Sequence, residues 1–241
     1  MTAPRPVEVA PERIAGWVAR FTTSHGEVTW SLADAEGQGG SPSAYLLSAA
    51  DGSWARLQGW ASPSGADRPP DLSAAAAWVR PPGPVLTLLV RRGGYAVAVS
   101  SGGGELLASK VGTRHVQSRT AAGGWSQQRF ARRRANQADE LVGALVGHAV
   151  RVLQEGEGRA GPVAALVVGG DPSLTAQALA GLGHGPRRRV PDLPRRELPD
   201  LADPRRSVLE EAVRRGRAVR VRVHNAEGRG AVPGKGAAPR P

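Results

Sequence analysis

Residues 85–111 read VLTLLVRRGGYAVAVSSGGGELLASKV, and this stretch decides the fold. Residues 85–90 are an apolar run broken only by Thr87, as in a strand buried on both faces. Arg91-Arg92-Gly93-Gly94 supplies a hairpin turn. Residues 95–100 form a second strand with alternating Ala and Val. Gly102-Gly103-Gly104 turns the chain again, and residues 105–111 complete a third strand. Turns this short join antiparallel neighbours, so a three-stranded meander is predicted.

Downstream, helical and strand patterns alternate. Phe130, Ala131, Ala138, Leu141, Val142, Leu145, Val146, Ala149, Val150 and Leu153 fall largely at i, i+3, i+4, i+7 spacing, which predicts a long amphipathic helix. Residues 156–161 are expected to be a turn, and residues 163–168 a buried strand. Gly169-Gly170-Asp171-Pro172-Ser173 then leads into a helix reaching about Leu182, with Asp171 or Ser173 as its N-cap. Residues 183–203, rich in Pro and Arg, are expected to be a loop. Asp203-Pro204 starts a further helix carrying Val208, Leu209, Ala212 and Val213, and residues 219–223 alternate as a final strand. The order from residue 85 is read as β-β-β-α-β-α-β. It matches an α/β fold with an RNase H-like mixed sheet.

Ahead of this region lies a small α+β extension, residues 1–80. Residues 1–10 are Pro-rich and expected to be loose. Pro11-Glu12-Arg13 opens a helix with Ile14, Trp17, Val18 and Phe21 on one face, ended by His25-Gly26. Residues 28–32, 45–48 and 54–57 are short strand candidates, the last two around an Asp51-Gly52 turn. Residues 33–43 and 61–73 are loop-like. Trp17, Trp30, Trp54, Trp60 and Trp78 crowd this third of the chain. Core packing is the expected role, ahead of a stacking platform for bases. The chain thus divides into 1–80, 85–224 and a low-complexity tail, 225–241, expected to be disordered.

Composition narrows the chemistry. The 241 residues carry a formal net charge of +11, which favours nucleic acid or another acidic partner. There is no cysteine, which removes disulfides, thiolate metal sites and thiol catalysis. No segment has the roughly 18 apolar residues of a membrane span, and the N-terminus lacks the apolar core of a signal peptide. A cytoplasmic protein is expected, acting as a monomer and without a cofactor. The five His residues form no ligand motif, and the strands at 85–90 and 95–100 carry no acid. No metal site is expected.

The charge is concentrated. Residues 110–137, KVGTRHVQSRTAAGGWSQQRFARRRANQ, contain Lys110, Arg114, Arg119, Arg129, Arg132, Arg133 and Arg134 and no acid. At their centre stands Gly123-Gly124-Trp125-Ser126-Gln127-Gln128. A glutamine amide is no base at neutral pH, but it positions a water with one donor and one acceptor. The glycines let backbone approach an ester closely, and a backbone N–H there stabilises a developing oxyanion. Such orientation chemistry suits an activated ester, such as the one joining a nascent peptide to the ribose of tRNA. Arg114, Arg119, Arg129, Arg132, Arg133 and Arg134 are candidate phosphate contacts.

This stretch resembles the signature of the Vms-like release factor family, in its actinobacterial branch. The family is similar to the catalytic middle domain of eukaryotic and archaeal peptide-chain release factors. Gly124-Trp125-Ser126-Gln127 matches the Gly-x-x-Gln pattern of the branch. The resemblance implies that Gln127 is catalytic, supported by Gly123 and Gly124; Gln128 stands next to it, and the spacing leaves both open. It further implies action on peptidyl-tRNA and rRNA in stalled large ribosomal subunits, with release of the nascent chain. Two chemistries are attributed to such proteins, ester hydrolysis and endonucleolytic removal of the 3′-CCA end. The first is the expectation here; a non-catalytic ribosome-binding factor is the other alternative.

Overall fold

The structure is a computed structural model that describes residues 7–33, 44–61, 69–113, 126–184 and 189–226, with backbone alone for 126–135. Two five-stranded sheets and four α-helices make up these residues. The second sheet comes from the meander. Strands β5 (Val85–Arg91), β6 (Gly94–Ser100) and β7 (Leu106–Thr113) pair antiparallel in sequence. Helix α2 (Ser126–Ala160) crosses back, so β8 (Ala165–Gly170) lies parallel to β5. Helix α3 (Pro172–Leu182) then returns the chain to β9 (Arg195–Leu198), parallel to β8. The sheet order is β7-β6-β5-β8-β9, with β6 alone running against the others.

The apolar run of β5 is explained by what covers it. Leu86, Leu88 and Val90 face α2 and α3 through Leu141, Leu145, Leu153, Leu174 and Leu179. Val85 and Leu89 face the other way, onto Leu209 and Ala212 of helix α4 (Arg206–Gly216). Each fully buried Leu or Val contributes on the order of 2 kcal/mol from leaving water. The Asp171 carboxylate caps α3, accepting from the backbone N–H groups of Ser173 and Leu174, as its sequence predicts.

The first sheet has the order β1-β10-β4-β3-β2 and is antiparallel throughout. Its strands are β1 (Val7–Val9), β2 (Val28–Ala33), β3 (Ala44–Ala49), β4 (Trp54–Gln58) and β10 (Val219–His224). Helix α1 (Ile14–His25) covers one face, burying Ile14, Val18 and Phe21 against Tyr45, Leu47, Leu57, Val219 and Val221. Gly26 ends α1 with φ 86°, a conformation that suits glycine. The tryptophans are largely core, as expected: Trp60 and Trp78 are buried, and Trp17 and Trp30 pack at the edge of the α1 core.

Four expectations need correction. The loop expected at 183–203 contains β9, whose four residues pair in register with residues 166–169 of β8. The strand expected at 219–223 belongs, in the expected order, to the mixed sheet; as β10 it pairs with β4 and β1 in the first sheet. The order from residue 85 is therefore β-β-β-α-β-α-β-α-β, with β9 as the fifth strand of its sheet and β10 in the other. Residues 7–9 are not loose, because β10 offers them a partner. The turn expected at 156–161 is helical to Ala160, because Gly156 lies against Val99, where a Cβ would come within 2.4 Å. The expected loops at 34–43 and 62–68 and the tail from residue 227 lie outside the described residues.

Candidate functional site

The basic stretch enters on β7 and leaves on α2. Strand β7 is an edge strand whose ladder runs to β6 alone, with Thr113 opposite Gly94. Helix α2 packs over β6 and β7 with Leu141, Leu145, Ala149 and Leu153 fully buried. Both ends of the segment are thereby tied to one rigid sheet edge. Residues 114–125, which include Arg114, His115, Arg119, Gly123 and Gly124, lie outside the described residues.

Gln127 lies in the first turn of α2, one residue after the helix begins at Ser126. Backbone N–H groups there have no intrahelical acceptor and carry the positive end of the helix dipole. Arg129, Arg132 and Arg133 occupy i, i+3 and i+4 positions of the next turns, and Arg134 follows. Ala138 is the first residue of α2 seen packing on the core. Gln127 precedes it by about 16 Å of helix at 1.5 Å per residue.

A clamp that the sequence reading missed joins the two arms. A Cβ on Gly112, near the end of β7, would stand 2.4 Å from the Tyr95 ring, so the glycine is what lets that ring lie flat over the strand. The same Tyr95 ring stacks on His148 of α2, with ring centres 5.6 Å apart and planes at 28°. The signal was a glycine inside a strand pattern beside an aromatic strand residue.

The clamp is also electropositive. Arg151 donates to Nδ1 of His148, and Lys110 on β7 lies close enough to act on the same ring. Burial first, then the charges of Arg151 and Lys110, hold the His148 pKa below its ordinary value, so the ring is neutral at pH 7. Lys110 of the basic stretch and Arg151 of α2 thus both act on this ring. Among the described residues, no three His, Asp or Glu side chains are grouped to hold a metal ion. Among the same residues, no helix is long and apolar enough to cross a membrane.

The family model described as acVLRF1, Actinobacteria/chloroflexi VLRF1 release factor, matches residues 83–222, more than half of the chain. The match starts just ahead of β5, runs through the whole basic stretch and ends inside β10. No curated protein matches the chain.

Proposed function

Because the chain belongs to the Actinobacteria/chloroflexi VLRF1 release factor family, we propose that it is a peptidyl-tRNA hydrolase. In this proposal it frees nascent chains from stalled large ribosomal subunits. Membership makes it a translation factor that works on the ribosome. The finer reading is that Gln127, with Gly123 and Gly124 ahead of it, positions the attacking water at the ester. The observation that carries it is the place of Gln127 in the first turn of α2. Orphan N–H groups at a helix start favour a developing negative charge. The glutamine amide beside them orients a water without needing a pKa near neutrality.

Arg114, Arg119, Arg129, Arg132, Arg133 and Arg134 contact phosphates of tRNA or rRNA in this reading. The sheet order β7-β6-β5-β8-β9 puts the third, second, first, fourth and fifth strands side by side, which supports an RNase H-like assignment for residues 85–224. The N-terminal region 1–80 is an appended unit, joined to the catalytic one by β10. The protein acts as a monomer in the cytoplasm, with no cofactor.

The test is single-turnover release from 50S–peptidyl-tRNA complexes. Wild-type protein liberates peptide, and Gln127→Ala loses at least about a hundredfold in rate, the scale of removing an oriented transition-state group. Gln128→Ala retains activity; the reverse result moves the catalytic role to Gln128. An intact CCA end on the released tRNA marks hydrolysis, whereas a shortened end marks the endonuclease. Ribosome co-sedimentation without turnover of either kind would reduce the protein to a binding factor.

A further inference from the structure

The clamp of Gly112, Tyr95 and His148 joins the three elements around the signature. Gly112 is next to the last residue of β7, and the chain leaves the sheet after Thr113. Tyr95 is opposite Gly112 in the β6–β7 ladder and is buried. His148 stands in α2, the helix on which the signature ends. One aromatic ring therefore lies against both the strand that enters the signature and the helix that leaves it.

A contact this far along α2 acts on Gln127 by leverage. Gln127 lies about 32 Å ahead of His148 along the helix, at 1.5 Å per residue. A tilt of about 5° at the clamp moves that end by about 3 Å. A misplacement of about 1 Å at a reacting centre already costs about a hundredfold in rate. Leu141, Leu145, Ala149 and Leu153 hold the helix down through burial, which is non-directional. The stack adds a contact with a preferred geometry.

The His148 ring also titrates. Lys110 of β7 and Arg151 of α2 act on it, the Tyr95 phenol of β6 stacks on it, and no carboxylate is among the groups that shift it. In the neutral ring Nδ1 accepts from Arg151. Protonation puts a hydrogen on Nδ1, removes that acceptor and sets a third positive charge beside Lys110 and Arg151. The folded protein resists this proton more than the unfolded chain does. The clamp is thus intact at neutral pH and opposed as pH falls below 6.5, the ordinary value for the group.

We propose that Tyr95 and His148 are positioning residues, which set the direction of α2 and through it the place of the Gln127 amide at the ester. The neutral stack holds the arm in one direction, and protonation frees it. This rests on the hydrolase reading for what Gln127 does, and not for the direction of the arm.

The test first reads that direction in the free, full-length protein. The chain has no cysteine, so spin labels on Arg92→Cys, in the β5–β6 turn, and Ser126→Cys, at the start of α2, report one distance by double electron–electron resonance. A narrow distribution is expected near neutral pH. His148→Ala broadens it or shifts it by about 2 Å or more. Gly112→Ala, which forces the Tyr95 ring off β7, does the same from the other arm. His148→Phe keeps a ring against Tyr95, cannot titrate, and keeps the distribution narrow. Acid below pH 6.5 broadens the wild-type distribution and not that of His148→Phe. Melting curves establish that each variant is folded. Equal distributions in wild type, His148→Ala and Gly112→Ala overturn the proposal, as does acid broadening that persists in His148→Phe.

On 50S–peptidyl-tRNA, His148→Ala lowers the saturating release rate at least about tenfold and leaves the half-saturating concentration unchanged. His148→Phe recovers the rate. An unchanged saturating rate in His148→Ala overturns the proposal. If wild-type protein releases no peptide, the hydrolase reading fails and the spin-label distances alone decide the role of the clamp.

Discussion

The indole N–H of Trp60 and the guanidinium of Arg196 donate to the same acceptor, the carbonyl of Gly216, at 3.0 and 3.1 Å. The guanidinium carbon also lies 4.4 Å from the centre of the Trp60 ring. Three parts of the chain meet here: the segment after β4, strand β9 and the end of α4. Arg196 bonds the Ala218 carbonyl as well, at the entry to β10. Its cation thus sits at the C-terminus of α4, where the helix dipole favours it. Burial pulls its pKa down to about 9, so it is still charged at neutral pH. This joint holds the two sheets together.

Trp60→Phe should therefore cost about 1–2 kcal/mol, one buried hydrogen bond plus a weaker cation–π contact. Arg196→Ala should cost about 3 kcal/mol or more, because it empties a buried site and takes one donor each from the Gly216 and Ala218 carbonyls. The double variant should lose less than the sum, by about 1 kcal/mol. Urea unfolding measures all three. Strict additivity would mean that the two side chains do not act together.

Helix α2 packs close on β6 at Gly156, where an added Cβ would lie 2.4 Å from the Cβ of Val99. Gly156→Ala should cost about 2 kcal/mol through overpacking, even though alanine is the better helix former. Val99→Ala in the same chain should return part of the loss by making room. Thermal denaturation of the two single variants and the double one decides this; an additive double variant contradicts the proposed contact.

Gly143 and Gly147 lie one turn apart on the exposed side of α2, and a Cβ at either would meet nothing within 4 Å. Changing both to Ala should stabilise the free protein by about 2 kcal/mol, near 1 per position. The melting temperature reads this directly, and a fall in it would show that the open side of α2 is occupied.

Asp51 accepts from His25 and from the backbone N–H of Ser53, which hold its carboxyl below its ordinary pKa of 3.8. The Arg217 guanidinium does the same for Glu12, whose ordinary value is 4.5. A depressed carboxylate pKa means that the unfolded chain binds more protons near those values. The stabilisation is therefore complete above them and lost as pH falls through the lower folded-state values. Asp51→Asn and Glu12→Gln should each be less stable than wild type near pH 6, and the differences should close as the pH falls below these ordinary values. Both pairs are solvent-exposed, so the effects are small. A gap that stays constant over this range would assign the stability to packing.

Much of the architecture was legible in local pattern. The meander, α1, α2, β8 and α3 with its Asp171 cap announce themselves because burial repeats with period 2 or 3.6 and because caps and turns have their own residues. The Gly-x-x-Gln stretch was legible too, since an acid-free block around a glycine pair is a compositional signal. The Tyr95–His148 clamp was not, because nothing local says that a glycine in β7 makes room for a ring on β6.

By itself the sequence determined which residues are inside, roughly where elements start and stop, and which family the chain belongs to. Only the tertiary structure decided which strands are neighbours. Val219–His224 alternates equally well for either sheet; it joins the first because Trp54–Gln58 and Val7–Val9 offer it partners in register. Arg195–Leu198, charged and flanked by prolines, is a strand only because β8 supplies its ladder. Trp54 meets His224, Arg56 meets Arg222 and Gln58 meets Arg220 through that same choice of neighbours. Periodicity reports which face of a strand is buried; its partner is chosen by the rest of the fold.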